Sequence, residues 1–308
     1  MQGKKILITG ASGQVGRGLV HVLSKENEVH ALARFSNPAK LPDVQKKAAQ
    51  IWQVDMGVQK PESLPTDFDV VFHMAVGWSG DDTLESQNQS FHLSCDFVAD
   101  LMKRNQSAIF VLGSTGSVYQ LIEGFCKEDE TPTLGGSTYV TSKIAMSHMA
   151  LWLAETYGHR VAEIRYWFPY APYQVHPKVD LVLNGDIFLS NPNGINQRTY
   201  IKHHVDKTIA AASYAASPPE IFNCATEENL TVRQLAEIGG KITGASLSER
   251  AQQPGQPQGP GHIADTAKAV RLLGPTPISA EEGLRRYWKA RQENINVPED
   301  WMFQEEPI

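Results

Sequence analysis

The chain has 308 residues, of which 41% are hydrophobic, so it can bury one large core, or a large core with a smaller lobe, and wholesale disorder is excluded. Its net charge of −6 argues against a general nucleic-acid binder or a partner of anionic membranes, while leaving room for a local basic site. Cys95, Cys126 and Cys224 are odd in number and lack metal-ligand spacing, which points to a reducing, cytoplasmic setting.

The first stretch, KKILITGASGQVGRGLVHVLSKENEVHALAR (4–34), reads as strand, glycine turn, helix, strand. After MQGKK the apolar run ILI stops at once in TGASG, so no signal peptide is expected, and no later run is long enough for a membrane span. ILI is uninterrupted, as befits a strand covered on both faces. Val15, Leu19, Val20 and Leu23 form a helical stripe, and EVHALA (28–33) is the second strand. AQIWQVD (49–55) and FDVVFHMAV (68–76) are the third and fourth strands, and 83–104 is one long helix. AIFVLGS (108–114) is the fifth strand, a helix runs from Tyr139 to about Tyr157, and RVAEIRYW (160–167) is the sixth strand. Alternation of this kind predicts a Rossmann-type, doubly wound parallel α/β sheet.

From Pro169 the texture changes. FPYAPYQVHPKVD (168–180) is a shaped loop, 203–216 a helix, and EIFNCA (220–225) a strand that rejoins the sheet. Helices follow within 231–244, 265–274 and 279–295, with AQQPGQPQGPG (251–261) an exposed loop. The expected organisation is a dinucleotide-binding domain over 1–168, with 200–225 returning to its sheet. A smaller C-terminal substrate lobe is expected over 169–199 and 226–308.

The strand-to-helix turn carries the first chemical signal. Gly10, Gly13 and Gly16, with Ser12, Gln14 and Val15 among them, bring a helix N-terminus to where a pyrophosphate would sit. The end of the second strand chooses the cofactor. Ala33 stands where an acid would take the ribose hydroxyl of NAD, and Arg34 follows, suited to a 2′-phosphate, so NADP is expected ahead of NAD. In GGSTYVTSKIAM, Tyr139 and Lys143 lie one helical turn apart on one face. Taken alone, the spacing favours a surface pair over a proton-transfer pair. His203 and His204 have no Cys, Asp or Glu at metal spacing, so no metal is expected.

The motifs TGASGQVG, VD ending at Asp55, FHMA ending at Ala75, LGSTGSVY, YVTSK and RYWFPYAP occur in the order seen in extended short-chain dehydrogenases/reductases. The chain thus resembles the NAD(P)-dependent epimerase/dehydratase family. FNCATEENLTVRQLAEI and DTAKAVRLLG resemble that family's C-terminal lobe, so the likeness spans nearly the whole chain. The resemblance implies Tyr139 as general acid/base. Lys143 would lower its pKa and bind the nicotinamide ribose, and Thr115, with Ser114 beside it, would orient the substrate oxygen. It also implies that Asp55 and Met56 flank the adenine, that Met74, Ala75, Val76 and Gly77 pass along the cofactor, and that Tyr166, Trp167 and Pro169 lie near the nicotinamide. A homodimer built on 83–104 and the Tyr139 helix is implied as well.

Two departures shape the expected activity. Gly116 and Ser117 follow Thr115 in place of an acidic pair, which argues against a dehydratase. Phe168 stands where nucleotide-sugar enzymes usually carry asparagine. The leading expectation is therefore an NADP-dependent oxidoreductase acting on a small carbonyl or alcohol substrate. A nucleotide-sugar epimerase using transient oxidation is the alternative. A non-catalytic NADP-binding redox sensor is the alternative of another class, disfavoured because Thr115, Tyr139 and Lys143 are all present. Trp78, Phe168, Tyr170 and Arg198 are the candidate substrate contacts, and Asn88 is a helix residue whose register does not clearly meet the site.

Overall fold

A computed structural model describes residues 1–77, 83–119, 122–132, 137–187, 191–249 and 260–308. The chain divides into two compact units. The first holds Met1–Val118, Pro132–Tyr166 and Val205–Phe222; the second holds Tyr119–Thr131, Trp167–His204 and Asn223–Ile308.

The first unit is built on β1 (Lys5–Thr9), α1 (Gln14–Leu23), β2 (Glu28–Ala33), α2 (Leu41–Lys47), β3 (Gln50–Gln53) and β4 (Val70–His73). It continues with α3 (Leu84–Phe91), a π-helical turn (His92–Asp96), α4 (Phe97–Arg104), β5 (Ile109–Thr115), α5 (Thr138–Tyr157) and β6 (Arg160–Tyr166). Helix α6 (Ile201–Ala211) and strand β7 (Glu220–Cys224) follow later in the chain. The seven strands form one sheet in the order β7-β6-β5-β4-β1-β2-β3, and every pair from β6 to β3 is parallel. This is the Rossmann-type order the alternation predicts. The apolar runs are covered as expected: Ile6, Leu7 and Ile8 have no exposed surface.

The elements differ from the sequence reading at their ends, for local reasons. Strand β3 stops at Gln53 because Asp55 opens a turn, its carboxylate accepting the Gly57 N–H at 3.1 Å. Strand β4 stops at His73, so Met74 to Gly77 leave the sheet as irregular chain. The helix expected over 83–104 is interrupted by the π turn, which buries Leu93 and Ser94. Helix α6 begins two residues earlier than expected and ends in a 3-10 turn, Ala212–Tyr214.

Helix α5 is fixed at both ends and along one side. The Ser137 hydroxyl accepts the Val140 N–H, and Gly158 closes the helix in the left-handed conformation, φ 75°. Met146, Ala150, Leu153 and Ala154 join Phe110, Leu112, Val161, Phe97 and Leu101 in one apolar core. Burying the Met, Leu, Val and Phe side chains of this set stabilises by roughly 1.5–3 kcal/mol each. That packing holds the first turns of α5, with Tyr139 and Lys143, at the C-terminal edge of the sheet.

The second unit packs the helix Pro177–Leu183 on Val232–Thr243, where a Cβ on Gly239 would lie 2.1 Å from the Val182 carbonyl oxygen. Short parallel ladders join Pro169–Tyr170 to Thr199–Tyr200 and Gly124–Cys126 to His262–Ala264. Among the described residues, no helix is long and apolar enough to cross a membrane.

Candidate active site

The glycine turn is shaped from within. Gly10 sits at φ 67°, and a Cβ there would come within 2.7 Å of the Ala75 nitrogen and the Met74 carbonyl. A Cβ on Gly16 would lie 2.2 Å from the Gly10 oxygen. Both positions therefore exclude a side chain. Gly13 is the N-cap of α1 and offers no side-chain cap, which leaves the first helical N–H groups available to an anion. Ser12, Gln14 and Val15 follow the turn, half-buried.

Beside the turn lies a cavity of about 320 Å³, bordered by Gly10, Ser12, Ala33, Arg34, Asp55, Met56, Ala75, Val76 and Gly77. Its residues fit a dinucleotide: a closely approachable glycine turn, an uncapped helix N-terminus and a half-apolar slot. Arg34 donates from Nε to the Ser36 hydroxyl at 2.6 Å, and its Nη1 lies 3.4 Å from the Asp55 carboxylate. Phe35, at φ 50°, turns into the core and leaves Arg34 and Ser36 on the cavity side.

Sequence reasoning missed several cavity residues. Ser86, Gln89, Ser90 and Leu93 face the cavity, whereas Asn88 is exposed elsewhere on α3. Their spacing of three, one and three residues is a helix stripe, and it was the available signal. The Ser90 hydroxyl donates to the Gly77 carbonyl at 3.1 Å, tying α3 to the irregular stretch after β4. Trp78 lies outside the described residues.

At the far end of that stretch stand the proton-transfer candidates. Thr115, the last residue of β5, is buried, accepts the Ser117 N–H at 3.2 Å and hydrogen-bonds the Tyr139 hydroxyl. Ser114 is buried, and its hydroxyl has no hydrogen-bond partner among the described residues. Lys143 is 1% exposed and donates from Nζ to the Ala75 carbonyl at 3.1 Å. Tyr166 donates to the Met74 sulfur at 3.1 Å and shares a 2.6 Å hydrogen bond with Thr208. Thr115, Tyr139, Lys143, Tyr166, Met74 and Ala75 are thus gathered in one unit, and Ala75 also borders the cavity.

Burial pushes the Tyr139 phenol above its ordinary value, and the Thr115 hydroxyl opposes this. Burial also brings the Lys143 ammonium down to about 8, against the opposing pull of Glu163 and Cys95.

The remaining candidates belong to the second unit. Trp167 is buried and stacks on Tyr119 at 6.0 Å. Phe168 adopts φ 42°, strained for an aromatic residue, and its ring lies 5.3 Å from the Arg198 guanidinium. Arg198 is buried, which brings it down to about 10 against the influence of Tyr170. The ladder of Pro169–Tyr170 on Thr199–Tyr200 brings these segments together, a pairing that no local pattern reveals. Tyr170 has no exposed surface and packs edge-on against Tyr200 and Tyr287, so it is a core residue of this unit. His203 bonds the Ile278 carbonyl and His204 the Cys224 sulfur. No group of three or more metal-ligating side chains occurs among the described residues.

The profile of the NAD dependent epimerase/dehydratase family matches residues 6–188, more than half of the chain. The chain belongs to this family. Membership makes it an enzyme of the short-chain dehydrogenase/reductase superfamily; the match runs from β1 past the helix Pro177–Leu183. Among relatives of this family member, UDP-glucose 4-epimerase of Corynebacterium glutamicum is 24% identical over 307 residues, covering 89% of this chain and 91% of the relative. In structure the chain is similar to UDP-N-acetylglucosamine 4-epimerase from Methanobrevibacter ruminantium in complex with UDP-N-acetylmuramic acid. There the TM-score is 0.81 at 21% identity, covering 96% of this chain and all of the other. It is also similar to UDP-glucuronic acid 4-epimerase from Bacillus cereus in complex with NAD, with TM-score 0.78, 24% identity and coverage of 94% and 99%.

Proposed function

We propose that the protein is a nicotinamide-dinucleotide-dependent epimerase acting on a nucleotide sugar, and not the small-carbonyl reductase that Phe168 suggests from sequence. One observation carries the chemistry. Ala75 borders the cavity and also holds Lys143 through its carbonyl, so the proton-transfer pair and the cavity share one piece of backbone. The named relatives, 4-epimerases of UDP-sugars, support the substrate class. Dehydration lacks an acid beside Thr115, since Gly116 and Ser117 follow it.

Bound in the cavity, a nicotinamide dinucleotide supplies a reversible hydride acceptor. The chain supplies the proton chemistry. Tyr139 takes the proton of the reacting hydroxyl and returns it, Thr115 orients the oxygen through the same hydroxyl network, and Lys143 favours the phenolate while charged. Gly10, Ser12, Gly13, Gln14, Val15 and Gly16 would hold the pyrophosphate. Asp55 and Met56 would border the adenine, and Met74, Ala75, Val76, Ser114, Tyr166, Trp167 and Pro169 would line the path to the nicotinamide. Phe168 would border the sugar, and Arg198, stacked on the Phe168 ring, would meet the diphosphate of the substrate.

Arg34 and Ser36, with no acid at Ala33, support NADP as the tighter-bound form; NAD, present in the Bacillus cereus relative, is the alternative. A homodimer is proposed through α5 and its neighbours, because Leu151, Trp152 and Tyr157 stay exposed on α5.

The test is direct. The protein is incubated with UDP-glucose, UDP-glucuronic acid or UDP-N-acetylglucosamine and either dinucleotide, and the sugars are separated. Conversion of at least one into its epimer is expected. A panel left unchanged, while simple carbonyl compounds consume reduced dinucleotide, would restore the reductase reading.

A further inference from the structure

Lys143 is the deepest charge of the proton-transfer pair, and an ammonium so enclosed needs a counter-charge close by. Few of the groups that face it can serve. On its own helix, Tyr139 is a phenol pushed up by burial, hence neutral. From β4, His73 is buried and its imidazole is held neutral, well below its ordinary value, by burial and by Lys143 itself. From the π turn, the Cys95 thiol is pushed up to about 11 by burial and by Asp96, so it carries no charge near neutrality. From β6 come Glu163 and Arg165, both buried, with the Arg165 Nε donating to the Glu163 carboxylate at 3.0 Å. Glu163 is the anion of this set.

The strand register aims it correctly. Phe110 pairs with Val161, and Leu112 with Glu163, across β5 and β6. Phe110, Leu112 and Val161 all lie in the core shared with Met146 and Ala150 of α5. Side chains two apart on a strand share a face, so Glu163 and Arg165 point to the α5 side as Val161 does. Lys143 precedes Met146 by three residues on that helix, on the same inward stripe. The rest of β6 is apolar and buried at Val161, Ala162 and Ile164. A buried ion pair in such a strand is poor value for stability, because apolar residues of similar volume often do as well or better.

We propose that Glu163 is a positioning residue for the proton-transfer pair: its carboxylate, anchored by Arg165, is the buried counter-charge that keeps Lys143 an ammonium, bonded to the Ala75 carbonyl, at neutral pH. Its effect on turnover rests on the roles given above to Tyr139 and Lys143; its effect on Lys143 does not.

The full-length protein, labelled with carbon-13 at lysine Cε, is titrated by NMR, and the Lys143 signal is assigned by its loss in Lys143→Arg. The wild-type midpoint is expected at about 8. In Glu163→Gln it should fall by about one pH unit, the effect of losing a nearby opposite charge. The alkaline side of the pH–rate profile should move down with it, and Glu163→Asp should restore most of the shift. A residue that only packs would lower the melting temperature and leave both midpoints in place. Should Glu163→Gln fail to fold, the double variant Glu163→Gln/Arg165→Met removes the guanidinium that would be left unpaired, and its Lys143 midpoint should lie below that of Arg165→Met alone. A Lys143 midpoint unmoved in the folded variant overturns the proposal whatever the activity. A midpoint that moves while the rate profile stays fixed upholds the counter-charge and removes Lys143 from the chemistry.

Discussion

Tyr139 is a buried phenol before it is a base. Burial raises it and the Thr115 hydroxyl lowers it, so the proton-accepting form leans on that hydrogen bond. Removing only the hydroxyl, in Tyr139→Phe, should cut kcat about 10²–10⁴-fold. Dinucleotide affinity, measured by calorimetry, should hardly change, and wild-type turnover would remove the tyrosine from the mechanism. Lys143 sets a pH window. Its folded pKa of about 8 lies below the ordinary 10.5, so below pH 8 both folded and unfolded chains hold the proton and burial costs its full amount, about 3 kcal/mol. Between about 8 and 10.5 the folded chain gives the proton up first and that cost fades. This group therefore makes the protein more stable as pH rises through the window, while activity that needs the ammonium falls. Denaturant titrations and rates from pH 7 to 10 should diverge accordingly; the difference between wild type and Lys143→Met isolates the lysine. At the cofactor end, the proposed NADP preference predicts that Arg34→Ala weakens NADP binding at least tenfold and NAD binding little, since the guanidinium and Ser36 would be the donors for a 2′-phosphate. Equal losses for both dinucleotides would reassign Arg34 to the adenine or to Asp55.

At the scale of elements, the glycine turn is a packing device as well as an anion cradle. Gly16→Ala places a Cβ 2.2 Å from the Gly10 backbone oxygen, and backbone cannot step aside cheaply. The expected cost is about 1–3 kcal/mol, read as a lower melting temperature with or without dinucleotide. A melting curve like the wild type's would mean the turn relaxes freely. The same contrast explains what the sequence reveals. β1, β2, β5 and α5 are legible because their apolar runs, stripes and caps are local. The ends of β3 and β4 are not, because an Asp55 turn and the exit of Met74 toward Gly10 depend on contacts made only in the fold. Tyr139, Lys143 and the glycines are legible as spacing. Ser36, Gln89 and Ser90 are polar residues with no motif, and Glu163 reads in sequence as one acid in an apolar strand. Met146 and Leu153 are apolar residues of α5 whose burial in the sheet core no local pattern reveals.

At the scale of the whole molecule, the surface left on α5 is Leu151, Trp152 and Tyr157, with Trp152 56% exposed and edge-on to Tyr157 at 5.7 Å. Aromatic residues in such positions are common anchors of interfaces. Light scattering at micromolar concentration should report twice the 34.0 kDa chain mass, and Trp152→Glu should return it to one. A monomeric wild type would assign these residues to another role. The central claim is that the enzyme oxidises and re-reduces a nucleotide sugar without net consumption of dinucleotide. The converted UDP-sugar of the panel above, carrying deuterium at C4, tests this most directly, with mass spectrometry of sugar and dinucleotide at equilibrium. The account predicts a C4 epimer that keeps its deuterium, with the dinucleotide in its starting redox state and the conversion abolished in Tyr139→Phe. Deuterium accumulating on the dinucleotide together with a released ketone, or no conversion of any UDP-sugar, would contradict it.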